Sequence, residues 1–277
     1  MKHIGKSYDK VDAKGILSGK PSYTGDFVPK DALIIKVLRS PHAQAKIKSI
    51  DTSKAKLIPG VEAIFTYEDV PNTRFTLAGQ TYPEPSAYDA LILDPVVRYV
   101  GDEVALVVAK DEATALKAMP LIKVEYEVQK PVLDLRTAMD HETVVHPEDD
   151  ILNHIPVGQD YKRNICVSYH KRVGDIEGEL AKCDYVVEGT YFDQATRQSA
   201  MEPFQSFGYI DHLGRIVIVS STQIVFHVRR HIARALGIPA SKIRVIKPRI
   251  GGGFGSKQTA CTELMTAFVT WKLQKPC

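Results

Sequence analysis

A glycine-rich loop is the stretch of this sequence with the clearest potential for chemistry. It spans residues 251–258 and reads GGGFGSKQ, with four glycines in five consecutive positions. Glycines permit backbone conformations and close approaches that side chains would forbid, and they leave backbone N–H groups open to a ligand. We expect a helix to begin at about Gln258 or Thr259, so its N-terminus would add to the attraction for a phosphate or an oxo group. The alternative is a glycine-rich turn that serves close packing alone.

Two kinds of nucleotide-binding loop are excluded by the residues around the last glycine. A dinucleotide-binding fingerprint needs glycine or alanine where Ser256 stands, and an acidic residue about 20 positions later. The sequence has no acidic residue after Glu263. A Walker A loop needs Gly-Lys-Ser/Thr, whereas this sequence has Ser256-Lys257-Gln258. Neither a dinucleotide site nor nucleotide hydrolysis is therefore expected here.

An amphipathic helix is predicted upstream of the glycine loop, over residues 223–236. Apolar residues recur every four positions in it, and Ser221 or Thr222 stands where a helix cap is needed. Gly237 and Pro239 follow as a stop signal.

The remaining elements of the second half follow from shorter patterns. They are a helix over 175–181, a strand over 185–192, a hairpin over 207–220, a strand over 241–247 and, after the loop, a helix with a buried stripe of Leu264, Phe268 and Trp271. The glycine loop is thus expected between a strand and a helix.

The first half alternates strands with one clear helix. Strands are predicted over 32–38, 45–50, 61–65, 103–109 and 122–127, and a helix over 112–121. Residues 71–94 have no clear periodicity and are predicted to form a long irregular loop, a kind of loop that often has a function. Strands around a helix indicate an α+β domain.

Residues 136–160 are predicted to form a solvated connector. The segment is rich in acidic residues and contains three histidines, His141, His146 and His154. A metal site is the alternative interpretation, but no two of these histidines have the i,i+4 spacing on a predicted helix that would direct two imidazoles at one ion.

Composition excludes several classes of protein. The 277 residues are 44% hydrophobic and 25% charged, which is typical of a globular domain rather than of a disordered chain. The net charge of +3 is too small to indicate a nucleic-acid partner or an anionic membrane. The four cysteines form no CxxC pair, so this chain is not expected to bind zinc or an iron–sulfur cluster itself. The first residues are charged and lack an apolar run, which predicts a cytoplasmic location.

The residues around the loop carry a family resemblance. RIGGGFGSK (249–257) resembles the GGGFG-x-K signature of the molybdenum-binding subunit of the xanthine dehydrogenase/aldehyde oxidase family. STQ (221–223) is similar to the other turn of that family that lies near the cofactor. Further similar stretches occur upstream in the family's order: RSPHA (39–43), PGV (59–61), VGDEVA (100–105) and MEP (201–203).

The resemblance implies a domain organisation and a set of cofactors. It implies an α/β hammerhead domain over residues 1–135, a linker over 136–160 and the start of a molybdopterin-binding domain over 161–277. It also implies a molybdopterin cofactor with molybdenum, in the cytosine dinucleotide form, and partner subunits that carry FAD and 2Fe-2S clusters. The implied reaction is oxidative hydroxylation of a purine, or of a related N-heterocycle or aldehyde, with oxygen derived from water.

Specific roles follow from the matched positions. By the resemblance, Gln223 donates its side-chain amide to the molybdenum oxo group, and backbone N–H groups in Gly253, Phe254 and Gly255 contact the cofactor. Gln223 and Phe254 would thus contact ligands of molybdenum rather than the metal itself. The alternative for Gln223 is a helix-capping role. Such neutral donors suit a site where negative charge develops.

Gln258 is implied to contact the substrate. Purine-oxidising members of the family carry glutamate at this position, and an amide cannot change its protonation state, so purine specificity is weakened. Lys257 is expected either to pair with the phosphates of the cofactor or to be a solvated lysine at the helix start. Glu202 is expected to be a structural hydrogen-bond acceptor.

In the family the catalytic glutamate, the substrate-facing arginine and most pterin-binding loops lie downstream of the glycine loop. The resemblance therefore places the catalytic base beyond Cys277, and it predicts that 1–277 alone is inactive. No residue of 1–277 is assigned as the base. The alternative is an inactive or non-enzymatic binding or assembly module of the same fold, with apolar surface exposed around the helix that contains Trp271.

Overall fold

The computed structural model describes residues 3–77 and 81–277. The helices and strands of this part of the chain are α1 (Ala13–Leu17), β1 (Ile34–Arg39), β2 (Ala45–Asp51), α2 (Ser53–Lys56), β3 (Val61–Phe65), β4 (Val96–Val97), β5 (Glu103–Ala109), α3 (Glu112–Ala118), β6 (Lys123–Val128), α4 (Ile176–Leu180), β7 (Ser206–Ile210), β8 (Ile216–Ser220), α5 (Val225–Leu236), β9 (Ile243–Ile246) and α6 (Glu263–Leu273). This mixture agrees with the predicted α+β class. Within the described residues, no helix has the length and apolar character needed to cross a membrane.

The amino-terminal region contains two antiparallel sheets, with strand orders β1-β5-β3 and β4-β2-β6. Strand β5 is the central strand of the first sheet. Its residues 104–109 are all apolar and fully buried, as expected for a strand that is covered on both faces. Strand β2 shows the alternation of a half-buried strand, with Ala45 and Ile47 buried and Lys46 and Lys48 exposed. The strands predicted from the sequence in this region are confirmed.

The carboxy-terminal region contains a third sheet, in which β8 pairs antiparallel with β7 and parallel with β9. All of Ile216–Ser220 is buried, so β8 is the central strand. Helix α5 forms the crossover between the parallel strands β8 and β9, as a helix usually does between parallel strands. Its apolar residues face the core at the predicted spacing, and the helix ends at Gly237, whose φ of 64° favours glycine.

Helix α6 lies in a hydrophobic core that the two regions share. Residues 263–270 are all buried, and Phe268 packs edge to face on Phe65 of β3, with ring centroids 5.1 Å apart. The predicted burial of Leu264 and Phe268 is confirmed, and the residues between them are buried as well. The predicted start is wrong, because the helix begins at Glu263 rather than near residue 258. A helix that is apolar all round has no 3.6-residue periodicity to mark its ends.

Residues 185–192 do not form the predicted strand. They have no regular secondary structure, and large apolar side chains such as Tyr191 and Phe192 are 89% and 91% exposed. The alternation in the sequence indicates a strand, but a strand also needs a neighbour whose backbone groups pair with it. The described part of the chain provides no such neighbour for this segment.

The acidic segment 136–160 packs against the residues around the long loop 71–94, although every residue in it is half-buried or exposed, as expected for a connector on the surface. Ion pairs and a backbone hydrogen bond join the two: Arg74 to Asp150 at 2.9 Å, Arg98 to Glu148, and Tyr88 N–H to Leu152 O at 2.9 Å. The described residues of the loop, 71–77 and 81–94, are irregular, as predicted.

The long loop is also bound to helix α5. The carboxylate of Glu84, which is buried, accepts a hydrogen bond from Arg230 of α5 at 2.9 Å and another from the hydroxyl of Tyr88 at 2.9 Å. His231 is buried next to Arg230, and neither ring nitrogen of His231 has a hydrogen-bond partner among the described residues. The polar face of α5 therefore anchors the loop.

Candidate functional site

Two turns meet at one edge of the carboxy-terminal sheet. The turn that contains Gln223 follows β8, and the glycine loop follows β9. Because β8 and β9 are parallel neighbours, their carboxyl ends lie at the same edge, and the turns after them are brought together. The contact is direct: Gln223 N–H donates to Lys257 O at 2.9 Å, and Lys257 N–H donates to Oε1 of Gln223 at 3.3 Å.

Gly253 lies against the side chain of Gln223. A Cβ atom on residue 253 would lie 2.5 Å from Oε1 and 2.6 Å from Cδ of Gln223, so glycine is required for this approach. A backbone N–H can only donate, so the bond from Lys257 holds the carbonyl end of the Gln223 amide. The amide NH₂ group consequently faces the other way, and no described acceptor is hydrogen-bonded to it.

The glycine loop is a series of tight turns. Gly252, Phe254 and Gly255 all have positive φ values, of 101°, 51° and 87°. Ser256 N–H and Ser256 Oγ both donate to Gly253 O, at 2.9 and 2.6 Å, which closes the turn. Phe254 is the residue that this conformation strains, since a side chain in the left-handed region costs about 1–2 kcal/mol.

The same turn leaves backbone donors open. Among the described residues, no acceptor is hydrogen-bonded to the N–H group of Phe254 or of Gly255. The Phe254 side chain is 75% exposed, so the tip of the loop is accessible. The turn therefore presents neutral donors at the position where sequence reasoning expected them.

A buried ion pair lies behind the loop. Glu202 and Lys257 have side chains that are only 7% and 2% exposed, and Lys257 Nζ lies 3.0 Å from Glu202 Oε2. Both sequence interpretations of Lys257, as a phosphate partner and as a solvated lysine, are wrong, because its ammonium group is buried against this carboxylate. The prediction that Glu202 is a structural acceptor is confirmed.

Both oxygens of Glu202 are used. Oε2 also accepts the backbone N–H of Gly251 at 2.7 Å, and Oε1 accepts from Nε2 of Gln205 at 2.9 Å. Burial raises the pKa of Glu202, but the bonds from Gly251, Lys257 and Gln205 together outweigh it and hold the pKa below its usual value. The carboxylate is therefore ionised at neutral pH.

The N-terminus of α6 does not contribute to the loop, contrary to the sequence prediction. The backbone N–H groups of Cys261 and Thr262 donate to Oε2 of Glu263 at 2.8 and 3.0 Å, and its Oε1 accepts from Ser220 Oγ at 2.6 Å. A buried carboxylate thus occupies the positive end of this helix, which begins several residues after the loop. The donors of the site come from turns, not from a helix dipole.

Gln258 begins the segment between the loop and α6. Its backbone N–H donates to Gly255 O at 3.2 Å, and its side chain is half-buried. Among the described residues there is no group of three or more histidine, cysteine, aspartate or glutamate side chains that could hold a metal ion. The donors at the sheet edge are amides, which suit contacts to ligands of a metal rather than to the metal itself.

Sequence reasoning missed the pairing of Glu202 with Lys257 and the cap that Glu263 provides. Lys257 and the MEP stretch were both noted in the sequence, but nothing in a single sequence relates residues so far apart. Thr262 followed by Glu263, directly before the apolar Leu264 and Met265, was the available signal for the helix start.

Comparison with known proteins agrees with the two-part organisation. Residues 18–130 match a family model described as aldehyde oxidase and xanthine dehydrogenase, a/b hammerhead domain, and residues 157–277 match a model described as molybdopterin cofactor-binding domain. The chain is 40% identical over 297 residues to the probable hypoxanthine oxidase XdhD of Escherichia coli K12, covering 99% of this chain and 31% of that protein. It is 30% identical over 275 residues to the nicotinate dehydrogenase large molybdopterin subunit of Eubacterium barkeri, covering 99% of this chain and 60% of the relative.

Solved structures resemble the fold over almost the whole chain. Quinoline 2-oxidoreductase from Pseudomonas putida 86 superposes with a TM-score of 0.82 at 29% identity, covering 98% of this chain and 34% of that chain. Aldehyde oxidoreductase from Desulfovibrio gigas superposes with a TM-score of 0.82 at 26% identity, covering 98% of this chain and 29% of that chain. The chain thus spans about a third of the length of most of these proteins.

Proposed function

This chain belongs to the molybdenum-binding subunits of the xanthine dehydrogenase/aldehyde oxidase family, and we propose from that premise that it forms part of a molybdenum hydroxylase. The proposed reaction is oxidative hydroxylation of a purine or of a related N-heterocycle or aldehyde, with oxygen derived from water. The observation that carries the proposal is the meeting of the Gln223 amide with the open donors of the glycine loop at one sheet edge. We also propose the division into a hammerhead domain (1–135), a linker (136–160) and a molybdopterin-binding domain (161–277).

The residues at this edge fit the cofactor that the family implies. The amide NH₂ of Gln223 and the N–H groups of Phe254 and Gly255 are neutral donors without a described acceptor. Gly253 provides a surface free of side-chain atoms beside them. We propose that these four residues hold the molybdopterin cofactor, in its cytosine dinucleotide form. When bound, the cofactor supplies the molybdenum redox chemistry of the hydroxylation.

The contribution of the chain itself is electrostatic positioning. Donors held by the backbone and by short hydrogen-bonded turns need no reorganisation when negative charge develops near them. The Gln223 amide is oriented by its bond to Lys257 N–H, and the loop amides are oriented by the turn that Ser256 closes. No residue within 1–277 is proposed to take a proton from the substrate, and the catalytic base is proposed to lie outside this chain segment.

The substrate proposal rests on the relatives and on Gln258. The relative with 40% identity is named a probable hypoxanthine oxidase, and the one with 30% identity a nicotinate dehydrogenase, so N-heterocycles are the leading class. The amide of Gln258 can donate and accept hydrogen bonds to a heterocycle without changing its charge. Partner subunits with FAD and 2Fe-2S clusters are proposed as the electron acceptors, and a cytoplasmic location stays a prediction from the sequence.

The test compares Gln223→Ala with Gln194→Ala in the enzyme at its native length with its partners. Gln194 is an exposed glutamine outside the two turns of the site and serves as the matched control. Removing one preorganised donor should lower turnover of hypoxanthine, nicotinate or an aldehyde about 10²–10³-fold. Equal activity of the two variants would contradict the role of Gln223. A native-length protein that binds its partners but contains no molybdenum would instead support the alternative of a non-enzymatic assembly module, which the exposed segment 185–192 favours.

A further inference from the structure

One oxygen atom of Glu202 ties together the two ends of the glycine loop. Oε2 accepts from the backbone N–H of Gly251, at the start of the loop, and from Nζ of Lys257, near its end, at 2.7 and 3.0 Å. The Glu202 backbone N–H in turn donates to Gly251 O at 3.1 Å. The open donors of Phe254 and Gly255 lie between these two anchor points, so the loop is closed at its base while its tip is free.

The pair is more than a surface ion pair. Both side chains are more than nine-tenths buried, where leaving either charge without its partner is strongly unfavourable. Gly251 is packed so closely on Glu202 that a Cβ at residue 251 would lie 2.5 Å from Glu202 Cβ. Gln205 donates a hydrogen bond to the second carboxylate oxygen, Oε1. Rotation of the carboxylate would therefore break this bond and the bonds that Oε2 accepts from Gly251 and Lys257. These hydrogen bonds therefore restrain the loop base at both of its ends.

We propose that Glu202 and Lys257 are positioning residues, which fix the base of the glycine loop so that the N–H groups of Phe254 and Gly255 are held ready for the cofactor. This inference rests on the proposed function of the loop. Neither residue is proposed to touch cofactor or substrate. The pair is neutral as a whole, so it adds no net charge behind donors that are meant to meet an electron-rich group.

The competing explanation is that the pair only stabilises the fold. Three variants separate the two explanations: Lys257→Met, Glu202→Gln and the double variant, with Lys275→Met as the matched control. Lys275 also pairs with a glutamate, Glu62, at 2.6 Å, but its side chain is 51% exposed. Each single variant leaves one buried group without its partner, whereas the double variant removes both charges together, which often restores stability.

The first measurement is hydrogen–deuterium exchange of residues 251–258 in the cofactor-free protein, alongside its melting temperature. If the pair positions the loop, the double variant should recover most of the melting temperature, yet its loop amides should exchange about 10–100-fold faster than in the wild type, as expected for loss of a hydrogen bond to a charged group. Recovery of both stability and loop protection in the double variant would overturn the proposal. The control Lys275→Met should leave the loop amides unchanged.

The second measurement is molybdenum content, and the Mo(V) electron paramagnetic resonance signal, of the native-length enzyme. The double variant should contain less molybdenum or show an altered signal despite its recovered stability. Wild-type content and an unaltered signal in a variant whose loop exchanges faster would show that the positioning is unrelated to the cofactor, and would overturn the inference. Absence of molybdenum from the wild-type enzyme would instead contradict the proposed function itself, while the exchange measurement would still report on the loop.

Discussion

The substitution Gly253→Ala should impair the proposed site far more than it impairs folding. The added Cβ would lie 2.5 Å from Oε1 of Gln223, which is the end of a flexible side chain and can move aside. Moving it costs the 3.3 Å hydrogen bond from Lys257 N–H, about 0.5–1.5 kcal/mol. Replacing glycine by alanine returns about 0.4–1 kcal/mol through the unfolded chain. The expected net loss of unfolding free energy is therefore about 1 kcal/mol or less.

The displaced amide is the reason to expect a functional effect. If Gln223 provides a preorganised donor, Gly253→Ala should lower turnover about 10²–10³-fold, the same loss that is predicted for Gln223→Ala. The variants Gly253→Ala, Gln223→Ala and the double variant form a thermodynamic cycle. Because both single substitutions remove the same donor, the double variant should be no worse than either one.

Two comparisons make this prediction specific. Gly15→Ala, in helix α1, meets nothing closer than 3.8 Å, so it should leave turnover unchanged and raise the unfolding free energy by about 0.4–1 kcal/mol. Gly251→Ala meets the Cβ of Glu202 next to the backbone, which cannot move aside, so it should lose about 1–3 kcal/mol by overpacking. The free energies come from urea unfolding and the rates from steady-state turnover. Additive effects of Gly253→Ala and Gln223→Ala, or unimpaired turnover in Gly253→Ala, would refute the reasoning.

Three further predictions concern stability. Burial lowers the pKa of His231 to about 4, so the folded state excludes a proton that the unfolded state takes up below about pH 6.5. The unfolding free energy should therefore fall as the pH is lowered from about 6.5 to 4. Urea titrations at each pH should show a smaller fall for His231→Phe. Phe254→Gly should change the unfolding free energy by about 1 kcal/mol or less, because relief of the positive φ offsets the entropy of glycine, and a loss of several kcal/mol would show that the ring packs in the core. Arg230→Met leaves the buried Glu84 carboxylate without its cation. Because the Arg230 side chain is 33% exposed, we expect the unfolding free energy from urea titration to fall by about 1–3 kcal/mol. An unchanged midpoint would mean that the loop does not depend on this pair.

The sequence predicted most of the regular structure that has a local signature. Short apolar runs or alternation marked the strands of the amino-terminal sheets, and four-residue spacing with Gly237 marked α5. The parallel pairing of β8 with β9, which brings the two turns to one edge, was seen only in the structure. The family resemblance then supplied the roles that local patterns could not.

The features that were predicted wrongly depend on distant neighbours. Helix α6 is buried between the carboxy-terminal sheet and the sheet that contains β3, so its sequence carries no polar face to mark where it starts. Segment 185–192 has the alternation of a strand but no described partner. Lys257 looked like a solvated residue because its partner, Glu202, lies in another part of the chain. Each case needed knowledge of what packs on a residue, which one sequence does not contain.

The core around α6 has a consequence for how the two matched regions can be handled. Phe65 from the first sheet and Phe268 from α6 bury each other. If the chain were cut within 131–156 and the halves were produced separately, each half would expose an apolar surface prone to aggregation. The regions that family models treat as successive modules therefore share one hydrophobic core in this protein. Exchanging the hammerhead domain between relatives would succeed only if the residues that pack on both phenylalanines were transferred with it.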